Sequence, residues 1–165
     1  MAANLTTGRM NGMKRIMICV VVAVLMCGVA YVAYAGVEED TKALAQSAAV
    51  FIKQNGKDAG IAEIMKPNGK FKKGDLFVTV TDFKGVLVAS GAFHNLVGVN
   101  TYDMKDPNGK PFVQESIEIA KTKSGGWIEY SFTDQNTKKI AARKAWIQRV
   151  EGMDLYVSAP ITVHK

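Results

Sequence analysis

The sequence predicts an α+β domain in which helices lead into an antiparallel sheet. Two observations carry this. Apolar residues recur at helical spacing over 38–54, and from residue 76 onward the pattern changes to alternation. The alternating runs are joined by short turns, which imply antiparallel pairing, because a parallel partner needs a crossover of a dozen residues or more. No internal repeat, low-complexity tract or long linker is visible, so one domain follows the N-terminal segment.

That N-terminal segment, residues 1–35, reads as a bacterial export signal. Lys14 and Arg15 precede a continuous apolar run over 16–30, and Ala33-Tyr34-Ala35 is a small-x-small cleavage site with Gly36 as the first mature residue. Translation starting at Met10 or Met13 would lose nothing that such a signal needs. The alternative is a retained anchor: residues 16–35 just suffice for the roughly 20 that span a bilayer, and Lys14 and Arg15 left inside would place the domain outside. A lipoprotein site at Cys27 is disfavoured by the bulky Met26 before it. The Ala-Tyr-Ala site favours cleavage, giving a periplasmic or secreted protein; the alternative is an inner-membrane anchor with the domain facing the periplasm. In both cases residues 36–165 form the exported domain, and the membrane is touched only through the N-terminal segment if it is uncleaved.

Within the domain, Glu38, Glu39 and Asp40 suit a helix N-terminus, Leu44, Ala48, Phe51 and Ile52 keep helical spacing, and Asn55-Gly56 ends the run. A second short helix is predicted over 58–65, stopped by Pro67-Asn68-Gly69. Strands are predicted over 76–81 and 86–90 around the turn at 82–85, making a hairpin. Irregular chain follows over 91–110. A helix covers 112–121 and Gly125-Gly126 breaks it. Three further strands, 127–132, 140–150 and 155–159, are separated by turns at 134–137 and 151–153.

Chemistry-bearing motifs are scarce. Cys19 and Cys27 both lie in the apolar segment, so the mature chain has neither a disulfide nor a thiolate nucleophile. His94 and His164 have no metal-ligand spacing. Ser90 and His94 lack any Gly-x-Ser-x-Gly elbow. Asp106, Asn108, Gly109 and Glu115 fit parts of a calcium loop, but Met104 stands where its first ligand belongs, and an Asx-type turn is the better reading. No catalytic residue, metal or cofactor is expected. Without Arg9, Lys14 and Arg15 the domain keeps 18 of the 21 basic residues against 15 acids. Its Lys72-Lys73 and Lys138-Lys139 pairs read as solvated loop residues, so no nucleic acid is expected as partner.

The order of elements and several strings resemble the single Cache domain of the second type, a PAS-like extracytoplasmic sensor module of chemoreceptors and sensor kinases. They are Phe51-Ile52-Lys53-Gln54-Asn55-Gly56-Lys57-Asp58-Ala59, Gly74 to Asp82, Gly85-Val86-Leu87-Val88-Ala89, Leu96-Val97-Gly98-Val99-Asn100, Asp103 to Val113, Gly125-Gly126-Trp127-Ile128-Glu129-Tyr130 and Trp146-Ile147-Gln148-Arg149-Val150. The resemblance implies a long N-terminal helix packed on a five-stranded antiparallel sheet. It places a pocket for a small organic acid or similar metabolite between the other sheet face and the middle segment. Tyr130, in the Gly-Trp-x-x-Tyr string, and Arg143, three residues before Trp146 where the family usually has lysine, are the implied polar contacts. Arginine can fork to a carboxylate where lysine acts as a point charge. Strand alternation puts Arg143 and Trp146 on opposite faces. Phe112 and Phe93 are expected to wall the pocket. Ser90-Gly91 stands where histidine and proline are common, and Phe93 where a small polar residue is usual; these departures border the pocket.

The expectation is a stand-alone exported sensor that binds a carboxylate-like metabolite and performs no chemistry. The alternative is a periplasmic interaction subunit of a membrane receptor or sensor kinase with a vestigial pocket. N-terminal sequencing of the mature protein is expected to return Gly36; an intact Lys14-Arg15 end would identify the anchored form.

Overall fold

The computed structural model describes residues 36–133 and 137–163. The export signal, its Ala35 cleavage site, most of the turn at 134–137 and His164 lie outside the described residues. Helix α1 covers residues 36–55. Thr41, Leu44, Ala45, Ala48, Ala49 and Ile52 form its buried stripe, while Ala43, Gln46 and Val50 face outward. Gly56, at φ +85°, breaks the helix before α2 (Lys57–Ile64). A Cβ on Gly60 would meet Ile52 Cγ1 at 2.5 Å, so α2 lies close against α1 only because that residue is glycine.

The main sheet has five strands, β3 (Thr79–Asp82), β4 (Leu87–Ser90), β5 (Gly125–Thr133), β6 (Ile140–Val150) and β7 (Leu155–Thr162). They lie in the order β4-β3-β7-β6-β5, and every neighbouring pair is antiparallel. The expected α+β fold, with a long N-terminal helix on a five-stranded antiparallel sheet, is therefore what forms. The run at 76–81 is divided, however. Lys72–Lys73 (β1) pairs with Leu76–Phe77 (β2) in a separate two-stranded hairpin, turned by Gly74 at φ +59°, and only Thr79–Asp82 joins the main sheet. Helix α3 (Phe112–Lys123) is two residues longer than its pattern indicated; Ser124 in the left-handed conformation ends it, and Gly125 and Gly126 already belong to β5.

Helices α1 and α2 cover one face of the sheet, against Val78, Val80, Ala89, Val150, Leu155, Val157 and Ala159. Helix α3 covers the other face, placing Val113, Ile117 and Ala120 on Ile128, Ala145, Ile147 and Tyr156. The β3–β4 pairing shifts register between Val80 and Thr81, so Thr81 faces Leu87 and Val88 is the extra residue of a bulge. Leu87 is thereby kept on the α3 side, while Val88 packs on the α1 cluster.

Turn 82–85 carries the middle loop. The Gly85 carbonyl accepts both the N–H and the hydroxyl of Thr101, each at 2.8 Å. Gly85 has φ +86°, and a Cβ there would stand 2.6–2.8 Å from the Cβ, Cα and N of Tyr102. Substitution Gly85→Ala is therefore expected to cost about 2 kcal/mol or more in urea unfolding, through left-handed strain and displacement of the 100–102 backbone. A loss below about 0.5 kcal/mol would show that this contact is not constraining.

Candidate functional site

On the α3 side of the sheet, strand alternation brings hydroxyl groups inward. Thr79 and Thr81 of β3 lie opposite Ser158 and Tyr156 of β7, so all four share one face. With Pro160 of β7 and Tyr130 and Phe132 of β5 they line a cavity of about 90 Å³. Phe112, Val113 and Ser116 of α3 close it from above, and the middle loop adds Phe93, Leu96, Thr101 and Met104. No charged side chain is among these lining residues. Among the described residues no group of three or more His, Cys, Asp or Glu side chains is gathered as a metal site.

Tyr130 stacks on Phe112 with ring centroids 4.6 Å apart and planes at 6°. Its phenol is pushed up to about 12 by burial, partly offset by the positive charge of Arg143, so it remains a hydrogen-bond donor through neutral pH. Tyr156 is also pushed up by burial, against the opposing pull of the hydroxyls of Thr81 and Ser116. Ser116 itself donates to the Phe112 carbonyl at 2.7 Å. Phe93 packs edge-on between Phe77 and Phe132, at 5.5 and 5.7 Å.

Of the five expected site residues, Tyr130, Phe93 and Phe112 line the cavity, and Arg143 and Ser90 do not. Arg143 is buried on β6 in register with Tyr130 on β5 and Thr162 on β7, which puts it on the cavity's side of the sheet, beside the Tyr130 end. Trp146 points to the opposite face, where it meets Trp127 at 5.4 Å and joins the α1 cluster. Ser90 is wholly buried, and its Oγ accepts the N–H groups of Ala92 and Phe93 at 3.2 and 2.7 Å. It therefore shapes the turn that delivers Phe93. Thr79, Thr81, Tyr156, Ser158 and Phe132 also line the cavity, and their two-residue spacing was the available signal in the sequence.

Asp106 makes the expected Asx-type turn, Oδ1 accepting from the N–H groups of Asn108 and Lys110 at 2.8 and 2.9 Å. Its carboxyl is held below the usual carboxylate range, chiefly by the Ser131 N–H and then by that of Lys110. The turn is thus intact above about pH 4 and loosens only as the pH falls through that lowered value.

This arrangement is that of a PAS-like sensor domain. The model of single Cache domain 2 matches residues 38–163, and the chain belongs to that family of extracytoplasmic sensors. Among solved structures, the fold is similar to a Cache chemosensory domain studied for carboxylic acid recognition (16% identity, TM-score 0.67, 79% of this chain and 96% of that one). It is also similar to the periplasmic sensor domain of a chemotaxis protein (15%, 0.62, 84% and 99%). A third neighbour is a methyl-accepting chemotaxis protein from Vibrio parahaemolyticus RIMD 2210633 (16%, 0.63, 78% and 90%). No curated protein matches the sequence.

Replacing Ser90 by alanine leaves two N–H groups without their acceptor and is expected to cost about 1–2 kcal/mol in urea unfolding. Phe93 should then exchange its backbone proton faster, measured by hydrogen exchange. Unchanged stability and exchange would remove Ser90 from the construction of this wall.

Proposed function

We propose that this chain is an exported Cache sensor whose cavity binds a short organic acid, and that residues 1–35 are the signal that exports it. The observation that carries the ligand class is a cavity lined by the Tyr130 phenol and, among the described residues, by no charged side chain, with the buried cation Arg143 outside that lining but in register with Tyr130 on the same face of the sheet. A carboxylate entering there meets a phenolic donor and the field of a guanidinium, and among the described residues no acidic side chain lines the cavity to repel it. The apolar walls of Phe93, Phe112 and Phe132 suit a short carbon chain. Size narrows the class further. About 90 Å³ is smaller than the roughly 150 Å³ cavity that takes up benzene, which favours a ligand of a few heavy atoms. The acid recognition studied in the first structural neighbour supports the same class.

Binding is the whole function in this reading. The occupied domain signals to a partner, a membrane receptor or sensor kinase, and no covalent step is involved. A thermal-shift screen of the purified protein with C2–C4 carboxylates, amines and amino acids tests it. An acid at about 100 times its dissociation constant should add about 2.7 kcal/mol of stability. Arg143→Ala should weaken acid binding at least about tenfold while the fold persists by circular dichroism. Because Tyr130 keeps its proton until about pH 12, affinity should stay level from about pH 6 to 10. A broad library that leaves the melting temperature unmoved would falsify the ligand reading and point to the interaction-subunit role.

A further inference from the structure

Residues 106–112 are stitched to the outer edge of β5 on both sides of Tyr130. Ahead of it in sequence, the Glu129 carbonyl accepts from Lys110 Nζ at 2.6 Å. Behind it, the Ser131 N–H donates to Asp106 Oδ2 at 3.0 Å, and the Ser131 hydroxyl accepts from Asn108 Nδ2 at 3.3 Å. The other Asp106 oxygen holds the segment's own turn through Asn108 and Lys110. Phe112 is tied into the same segment, its N–H donating to the Lys110 carbonyl at 3.0 Å. The two rings of the Tyr130–Phe112 stack therefore arrive on separate stretches of chain whose spacing is set by these ties.

The rings around this wall meet in two ways. Phe77–Phe93, Phe93–Phe132, Phe112–Phe132 and Tyr130–Phe132 all meet edge-on, at 70–82°. Tyr130 and Phe112 alone in this cluster lie parallel. Edge-on and offset-stacked arrangements are both favourable for aromatic pairs. The parallel pair at 4.6 Å joins an edge strand to the first residue of a helix, so its spacing depends on how those two stretches of backbone are held together.

We infer that Asp106 is a positioning residue of the pocket: its carboxylate, one oxygen on the loop turn and one on β5, sets the Tyr130–Phe112 wall against which the ligand lies. Only the ligand part of this statement rests on the proposed function; the geometry of the wall is independent of it.

The substitution Asp106→Asn separates the two ties. The amide oxygen can serve either the turn or Ser131, and the amide nitrogen then faces an N–H group at the other, donor against donor. In the full-length chain, nuclear magnetic resonance should show the Ser131 or the Asn108 and Lys110 amide protons exchanging about tenfold faster or more. The Tyr130 ring resonances should move from their stacked position toward that of free tyrosine, while the amides of α1 keep their protection. Titrated with acetate as the probe, the variant should bind about tenfold more weakly than the parent. Lys110→Met, which removes the Glu129 tie together with the 3.2 Å ion pair to Glu115 and leaves the Asp106 turn, should shift the Tyr130 ring in the same direction by less.

Unmoved Tyr130 resonances in Asp106→Asn would overturn the inference, as would loss of α1 protection in step with them, which would make Asp106 a residue of global stability. Loosened rings with unchanged acetate affinity would also overturn its role in the pocket. If neither acetate nor any other short acid binds the parent protein, the ligand reading fails, and the ring resonances alone still decide whether Asp106 holds the wall.

Discussion

Strand β7 is bonded on both edges and covered on both faces, and the remaining architecture follows from what that position demands. It pairs with β3 on one side and β6 on the other. Leu155, Val157 and Ala159 supply the face under α1, and Tyr156, Ser158 and Pro160 the face under α3. The first set is purely apolar and closes a dry core. The second carries hydroxyl groups, which a closed core accommodates only with hydrogen-bond partners. The cavity lies on this second side, beneath α3, so the site is built on the side-chain alternation of one central strand.

Some of this was legible in the sequence. Residues 38–54 bury one stripe and their period survives intact, while Ile140–Val150 alternates Ala145 and Ile147 under α3 with Trp146 and Val150 on the α1 side. The run at 76–81 was uniformly strand-like, and nothing in it marks that Val78 separates two short strands belonging to different sheets. The bulge at Val88 is hidden for a related reason: it depends on how two strands align, which no single strand encodes.

The site was legible only in part. Tyr130, Phe93 and Phe112 came from family resemblance. Thr79, Thr81 and Ser158 alternate plainly, but alternating polar residues on a strand ordinarily indicate the solvent side. Only the placement of α3 over that face turns them inward. Ser90 illustrates the limit most directly: a serine at a strand end serves a ligand or its own backbone equally well, and here the N–H groups of Ala92 and Phe93 take the hydroxyl.

Strand β5 ends the sheet, with β6 as its sole strand partner among the described residues. Edge strands of such length are the natural template on which a second chain lays itself down, the first step toward aggregates. Here the Glu129 carbonyl and the Ser131 N–H are already occupied by Lys110 and Asp106. An incoming strand would have to evict a lysine and a carboxylate before gaining its first ladder bonds. The loop beside the cavity thus also obstructs strand addition along this stretch of the sheet's margin.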